Sequence, residues 1–346
     1  MKTDIREIGE KELQGWLEEK GEKPFRAKQI LEWIWKHAVG SIDEMTNLSL
    51  DLRNQIKESF ELKPVQRSGA QVSNDGTIKN AFRLHDQHLV EGVLIPTDTR
   101  MTACISSQVG CSLSCKFCAT GKLKRLRNLT GGEIFDQVVL LNNQAQETYG
   151  KPLSNIVYMG MGEPLLNYRG VMESVHWITS PKGLGMSPKR ITVSTAGIAK
   201  MIKKLADDEA KFNLALSLHA ANDEKRNQIM PINEQNSLGA LAEALRYYHG
   251  KTGNQVTYEY IIFKGFNDQL KDAAELEAFC RIVPSKVNII EYNPIDGEEF
   301  EQADPEKTDA FAAFLENRKI NVNVRRSRGK DIDAACGQLA NKLKPA

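Results

Sequence analysis

Three closely spaced cysteines stand in the stretch Gln108-Val109-Gly110-Cys111-Ser112-Leu113-Ser114-Cys115-Lys116-Phe117-Cys118. Their spacing is C-x3-C-x2-C, which lets one loop wrap around one metal site. Thiolates are soft ligands that suit iron–sulfur clusters or zinc. No fourth cysteine or histidine follows nearby, whereas a structural zinc site normally closes with four protein ligands. The spacing therefore favours an iron–sulfur cluster with three protein ligands.

A cubane cluster held by three cysteines leaves one iron free to bind another molecule. With the aromatic Phe117 before the last cysteine, the motif resembles that of the radical S-adenosylmethionine (SAM) enzymes, in which the open iron chelates SAM. The resemblance implies a [4Fe–4S] cluster on Cys111, Cys115 and Cys118, and SAM as the second cofactor. Short motifs also match by chance, so zinc binding and chance clustering stay open at this point.

The composition is that of a globular protein, because 41% of the 346 residues are hydrophobic and 26% are charged. The net charge of +1 gives no global basic field, so any contact with RNA must come from a local patch. No apolar run reaches membrane-spanning length, and the N-terminus lacks a signal core. We expect a cytoplasmic protein without a membrane segment, whose cysteines are metal-binding or catalytic.

Residues 1–62 have the pattern of a small helical module. Pro24 suits a first helical position, and the apolar residues from Phe25 to Ala38 fall near one helical face. The mildly basic outer surface indicates either a solvated helix face, which is the more common case, or a docking module for an RNA.

Residues 63–97 are predicted to form a linker and a β-hairpin, with strands at 77–84 and 89–95. Glu91 lies within the apolar run of the second strand. A carboxylate there lies either on the wet face of an edge strand or in a site, and by itself the edge strand is the expectation.

Strands and helices alternate from about residue 100, and we assign residues 98–330 to one core domain. Strands are predicted at 102–106, 155–159, 190–195, 212–218, 256–262, 287–291 and 320–325. Helices are predicted at 131–149, 168–179, 197–205, 236–249, 271–281 and 305–317. About six βα units predict an α/β fold, a partial (β/α)6 barrel with an N-terminal helical domain and a β-hairpin extension. Chemistry in such barrels lies at the carboxyl ends of the strands, where the cysteine loop also falls.

Polar residues follow several of these strands. The turn from Met159 to Pro164 contains glycines that let a ligand approach the backbone, and Glu163 could accept hydrogen bonds from an ammonium group. Most such turns are only turns. One βα unit after the cysteine motif, however, this turn resembles the one that holds the SAM amino group in radical SAM enzymes. Ser194, Ser217 and His219 end neighbouring strands, which favours a pocket.

Further motifs stand in order along the chain. They are Gly21–Arg26, Cys104–Cys111, Met159–Pro164, Ser217–Ala220, Pro231–Asn233, Tyr292–Pro294 and Arg328–Leu339. Together they resemble the RlmN family, dual-specificity RNA methyltransferases that act on C2 of adenine in 23S ribosomal RNA and in tRNA. The resemblance spans nearly the whole chain, and its most specific part runs from Asp333 to Leu339.

The resemblance implies a role for each matched residue. Cys336 is expected to become S-methylated, Cys104 to be its partner in a transient disulfide, and Glu91 to accept a proton. The residues expected at the SAM site are Gly162, Glu163, Ser194, Ser217, Leu218, His219 and Asn293. Residues 331–346 would form the C-terminal segment that carries the methylated cysteine. Cys280 matches no motif and is expected to be a buried helix residue.

The family chemistry explains why two cysteines outside the cluster are needed. Adenine C2 lies between two ring nitrogens and is not a nucleophile, so it cannot attack a methyl group. In the implied mechanism Cys336 first takes a methyl group from one SAM. A radical made from a second SAM then removes hydrogen from the methylated cysteine, and the resulting methylene radical adds to C2. Proton loss and attack by Cys104 release the product, so the segment around Cys336 is expected to move.

Three alternatives stay open from the sequence. A Cfr-type enzyme would methylate adenine C8 with much the same cysteines, and the Pro-Phe-Arg module favours C2 without excluding C8. A zinc-binding RNA module would leave Cys104 and Cys336 unexplained, and a radical SAM activase of a protein glycine would lack the Cys336 motif.

The implied partners are 23S rRNA, tRNA and an electron donor such as flavodoxin, and the protein is expected to be a monomer. The family usually has glycine and an aromatic residue in the loop after Cys118, where this chain has four basic residues. That loop is the best local candidate for phosphate binding. Its basic residues are Lys122, Lys124, Arg125 and Arg127. The second candidate comprises Arg325, Arg326, Arg328 and Lys330.

Overall fold

Strands and helices alternate along most of the chain in the computed structural model, which describes residues 2–342. The strands are β1 (Thr3–Asp4), β2 (Phe60–Glu61), β3 (Gln66–Val72), β4 (Ile78–Arg83), β5 (Leu89–Pro96), β6 (Met101–Cys104), β7 (Gln108–Val109), β8 (Arg127–Asn128), β9 (Asn155–Tyr158), β10 (Ile191–Thr195), β11 (Asn213–Ser217), β12 (Val256–Ile262), β13 (Ser285–Glu291) and β14 (Asn321–Arg325). The helices are α1 (Glu10–Glu19), α2 (Arg26–Trp35), α3 (Leu50–Ser59), α4 (Gly131–Tyr149), α5 (Tyr168–Thr179), α6 (Ala199–Asp207), α7 (Asp223–Ile229), α8 (Leu238–Thr252), α9 (Leu270–Cys280) and α10 (Pro305–Glu316).

A ten-stranded sheet is the centre of the described part of the chain, with the order β14-β13-β12-β11-β10-β9-β6-β5-β4-β3. The strands from β6 to β14 in this order pair in parallel. Strand β12 is buried along its whole length, as expected for a parallel strand covered on both faces. The sheet ends at β14 and does not close, so the predicted partial (β/α)6 barrel is confirmed.

The predicted β-hairpin forms, but it is not an edge of the sheet. Strands β4 and β5 pair antiparallel with Ala81 opposite Glu91, and β5 also pairs with β6. Glu91 is therefore fully buried, and the expectation of a wet edge strand was wrong. A third strand, β3, covers the outer side of β4. Its polar sequence, with a glycine and no apolar alternation, gave no strand signal.

The N-terminal helices pack on the outer layer of the barrel. Their apolar side chains belong to the same hydrophobic core as those of the sheet. Trp35 on α2 stacks on Trp177 of α5, with the ring centroids 4.6 Å apart. The buried guanidinium of Arg6 bridges Asp4 at 2.8 Å and Asp136 of α4 at 2.6 Å. These contacts fix the N-terminal helices beside α4 and α5. No helix among the described residues is both long and apolar enough to span a bilayer.

Candidate active site

The cysteine loop follows β6 at the carboxyl end of the parallel strands. The Cys118 N–H donates to the Cys115 carbonyl at 3.2 Å, which closes a tight turn. The Cys111 N–H donates to the Leu123 carbonyl at 3.3 Å. Between the last two cysteines, Phe117 packs edge-on against the ring of His219, with centroids 4.6 Å apart. The three cysteines thus line one apolar patch at the mouth of the barrel.

The donor chemistry of this loop, three cysteine thiols on one short segment, suits an iron–sulfur cluster. No group of three or more His, Cys, Asp or Glu side chains within residues 2–342 is arranged to hold one ion.

The three thiols are protonated in the absence of bound positive charge. Burial, followed by a contribution from the Cys118 thiol, raises the pKa of Cys111 to about 11. Burial and both neighbouring thiols raise the pKa of Cys115 well above its ordinary value. Burial also raises the pKa of Cys118, against hydrogen bonds from the following turn. A bound metal cluster would supply the charge that deprotonates them.

The glycine-rich turn after β9 presents Glu163 to the barrel mouth. Both carboxylate oxygens of Glu163 accept backbone N–H groups, from Leu165 at 3.0 Å and from Ala196 at 2.7 Å. Burial raises the pKa of Glu163, and these hydrogen bonds oppose the increase. Gly162 has a φ of +94°, and a Cβ there would lie 2.5 Å from the Cβ of Gln108. Only glycine therefore fits at this position.

The serines and the histidine predicted at neighbouring strand ends come together. The hydroxyl oxygens of Ser194 and Ser217 lie 3.2 Å apart. The Nδ1 atom of His219 accepts the Ile261 N–H at 3.0 Å. Burial, with a smaller contribution from Arg226, lowers the pKa of His219 to about 3, so its ring is neutral.

Arg226 of α7 organises the backbone of this region, although no sequence motif predicted a role for it. Its buried guanidinium donates to the carbonyls of Leu218 at 3.0 Å, Ala196 at 2.6 Å and Ser217 at 3.1 Å. It also donates to Asn233 Oδ1 at 2.6 Å. The Pro231–Asn233 motif could have indicated this role, because a buried asparagine needs a hydrogen-bond partner.

The segment that carries Cys336 lies over the cysteine loop. The Gly337 carbonyl accepts the Ala119 N–H at 2.7 Å, and the Leu339 carbonyl accepts the Thr120 hydroxyl at 2.6 Å. Asn293 donates to the Cys336 carbonyl at 3.2 Å. Of the predicted segment, residues 343–346 lie outside the described residues.

Cys104 and Cys336 are both free thiols, Cys104 buried and Cys336 exposed. Burial, with a second contribution from Cys336, raises the pKa of Cys104 to about 12. Cys336 is exposed as a residue, but burial of its sulfur raises the pKa of its thiol. The guanidinium of Arg325 opposes the increase at both cysteines. Cys280, by contrast, is buried at the end of α9, as predicted.

Glu91 belongs to this site as well. Its Oε2 atom accepts the N–H groups of Ala340 at 2.9 Å and Asn341 at 3.1 Å. Its Oε1 atom lies 3.9 Å from the ammonium of Lys79. The carboxylate therefore contacts the Cys336 segment.

Several of the basic residues considered for phosphate binding are paired with carboxylates. Arg127 bridges Asp86 at 2.5 Å and Glu133 at 2.7 Å, so it ties the loop to α4. Arg326 and Lys330 both contact Glu291. Lys122 pairs with Glu298, and Arg325 pairs with Glu259. The exposed side chains of Lys124 and Arg125 leave this loop its free positive charge.

Two family models match the chain. Residues 3–62 match the ribosomal RNA large subunit methyltransferase N-terminal domain, and residues 105–276 match the radical SAM superfamily. A protein of Christiangramia forsetii described as a probable dual-specificity RNA methyltransferase RlmN is 58% identical, over 99% of this chain and 97% of its own. One of Cytophaga hutchinsonii with the same description is 57% identical, over 99% and 93%. The chain belongs to the RlmN family.

A solved structure has the same fold over nearly the whole chain. The crystal structure of a radical SAM methyltransferase from Sphaerobacter thermophilus is 39% identical, with a TM-score of 0.91 over 97% of this chain and 99% of that chain. Membership of the RlmN family, a radical SAM family, implies SAM and a [4Fe–4S] cluster as cofactors. The arrangement of thiols around the barrel mouth agrees with such an RNA methyltransferase.

Proposed function

We propose that the protein methylates C2 of an adenine in 23S rRNA and in tRNA by a radical mechanism. The observation that carries the proposal is the docking of the Cys336 segment over the three-cysteine loop. The relatives are described as dual-specificity RNA methyltransferases, and the name RlmN favours C2 over the Cfr-type C8 reaction.

The proposed cofactor residues are those that match the motifs of the family. Cys111, Cys115 and Cys118 would hold the [4Fe–4S] cluster, which would supply the electron for cleavage of SAM to methionine and a 5′-deoxyadenosyl radical. The proposed SAM-site residues surround this loop at the strand ends. They are Gly162, Glu163, Ser194, Ser217, Leu218, His219 and Asn293.

The chain's own thiols do the transfer. Cys336 takes a methyl group from one SAM by displacement, which its thiolate form favours and the charge of Arg325 promotes. After hydrogen abstraction, the methylene group on Cys336 would bond to adenine C2, and the odd electron of this adduct would pass to a one-electron acceptor, for which the oxidised cluster is the candidate. Glu91 would accept the proton lost from C2. Cys104 would then attack the Cys336 sulfur and break its bond to the methylene carbon. That carbon keeps the electron pair and takes up a proton to become the methyl group, and a transient disulfide remains. Each turnover would use two SAM molecules.

The division of the chain follows the same proposal. Residues 1–62 would dock the RNA, residues 63–97 would link through the hairpin, and residues 98–330 would form the radical SAM core. Residues 331–346 would carry Cys336 into and out of the site. The target adenine would be unstacked from its neighbours to reach the barrel mouth. We further propose a cytoplasmic monomer that receives electrons from a donor such as flavodoxin.

Nucleoside mass spectrometry tests the proposed function. The cluster-loaded protein is incubated anaerobically with SAM, a reductant and 23S rRNA from a strain that lacks the modification. We expect 2-methyladenosine. A product of 8-methyladenosine would assign the Cfr-type activity instead, and the absence of any methylated adenine would contradict the proposal.

A further inference from the structure

Lys79 is a buried cation to which the proposed reaction gives no role. It lies on β4, and its side chain is only 3% exposed. Its ammonium is 3.9 Å from Oε1 of Glu91, whose side chain is 1% exposed. The two residues are diagonal neighbours on one face of the hairpin, because Ala81 pairs with Glu91 and Lys79 with Val93. A buried charge without a partner is costly, so each of these charges depends on the other.

The same pair holds the Cys336 segment on both sides of the reactive thiol. The Lys79 ammonium donates to the Asp333 carbonyl at 3.4 Å, three residues before Cys336. Beyond Cys336, the N–H groups of Ala340 and Asn341 donate to Glu91 Oε2 at 2.9 and 3.1 Å. Lys79 and Glu91 therefore make these three hydrogen bonds only when the segment is docked.

The two oxygens of Glu91 differ in their surroundings. Oε2 is occupied by two backbone donors from the segment. Oε1 is buried and receives no hydrogen bond from any described residue. Oε1 is thus the oxygen with lone pairs free to receive a proton, and the Lys79 ammonium is the charge beside it.

We propose that Lys79 is a positioning residue for proton removal from the target base: it holds the carboxylate of Glu91 in place with Oε1 free while the Cys336 segment is docked. This inference rests on the proposed function. In the step concerned, the C2–H bond breaks, its electron pair stays on the base, and the proton passes to Oε1. Before the transfer, the positive charge of Lys79 balances the negative charge of the carboxylate. Lys79 itself neither gives nor takes a proton.

The test compares Lys79→Met with Lys79→Arg in the cluster-loaded full chain, using RNA that carries either hydrogen or deuterium at adenine C2. As the matched control, Lys307→Met removes a lysine 3.1 Å from Asp268, another buried carboxylate, outside the proposed site. Three quantities are measured: 5′-deoxyadenosine formed, methylated adenine released, and covalent Cys336–RNA adduct by denaturing gel and mass spectrometry.

We expect Lys79→Met to lower product release about ten-fold or more, because proton transfer to a poorly placed base becomes slow. SAM cleavage should continue, the adduct should accumulate, and deuterium at C2 should slow its breakdown. Lys79→Arg keeps the charge and should recover most of the product release. Lys307→Met should match the wild-type protein in all three quantities.

Product release at the wild-type rate by Lys79→Met would overturn the inference. So would a Lys79→Met protein that loses both product release and SAM cleavage and forms no adduct. If Lys79→Met does not assemble the cluster, Lys79→Gln, which keeps a polar side chain but no charge, decides. Its adduct breakdown should be slower than wild type and sensitive to deuterium, and an unchanged rate would count against the role. Failure of the proposed function itself looks different, because the unmodified protein would then release no methylated adenine.

Discussion

The thiol of Cys336 lies between two opposing electrostatic influences. Burial raises its pKa, and the guanidinium of Arg325, paired with Glu259 at 3.4 Å, lowers it. Arg325 also acts on Cys104 in the same direction. A cation near both thiols favours the thiolate form of each. The thiolate of Cys336 is needed for methyl capture, and the thiolate of Cys104 for disulfide formation.

Replacing the methyl carrier tests its role at this scale. We expect Cys336→Ala to abolish methyl transfer to RNA, because no sulfur remains to accept the methyl group. Cluster assembly should stay intact, since Cys336 is not among the three proposed ligands. Iron content and visible absorbance of the anaerobic protein measure the cluster. Loss of the cluster in this variant would mean that Cys336 is a ligand.

Gly162→Ala should damage the SAM site through the backbone. The φ of +94° and the 2.5 Å approach to Gln108 leave no room for a Cβ. We expect a cost of about 1–3 kcal/mol in the free energy of unfolding, and weaker SAM binding. Urea unfolding and equilibrium dialysis with SAM measure the two effects. Gly150→Ala, whose Cβ would meet nothing within 4 Å, isolates the effect of the positive φ.

The buried ring of His219 predicts acid sensitivity. The pKa of His219 is about 3 in the folded protein and 6.5 in the unfolded chain. Between these pH values the unfolded chain binds a proton at this residue and the folded protein does not. The stability from this residue is complete above pH 6.5 and is lost progressively as the pH falls toward 3. Between pH 7.5 and 5.5 the loss is about 1.4 kcal/mol. Urea unfolding at both pH values should show a smaller loss for His219→Asn, and an equal loss would contradict this assignment.

At the scale of elements, the short helix α7 supports two strand ends through one side chain. Arg226 places its guanidinium against three carbonyls at or just after the ends of β10 and β11. Because these acceptors have little access to water, the helix and the predicted SAM site should lose order together.

Arg226→Met should therefore lower the free energy of unfolding by about 3 kcal/mol or more, through buried acceptors left without donors. SAM binding should weaken as well. Chemical denaturation and SAM dialysis are the measurements. Lys203→Met, which breaks an exposed ion pair with Glu243 on the outer helices, is the control and should change neither quantity. Normal stability in Arg226→Met would show that water replaces the guanidinium.

At the scale of the whole molecule, local spacing predicted more than long-range pairing. The cysteine loop, the glycine turn and the βα alternation are encoded within short stretches, and the structure brings their residues to one end of the sheet. The burial of Glu91 was not predictable, because it depends on the pairing of β5 with β6. Lys79 and Arg226 escaped notice for the same reason, since their partners are distant in sequence.

The fate of a labelled methyl group tests the central claim most directly. The protein would be given SAM with three deuterium atoms on the methyl group, together with unmodified RNA. If Cys336 carries the methyl group and loses one hydrogen to the radical, 2-methyladenosine should contain two deuterium atoms and 5′-deoxyadenosine should contain one. Retention of all three deuterium atoms in the product would mean direct transfer to the base and would contradict the account.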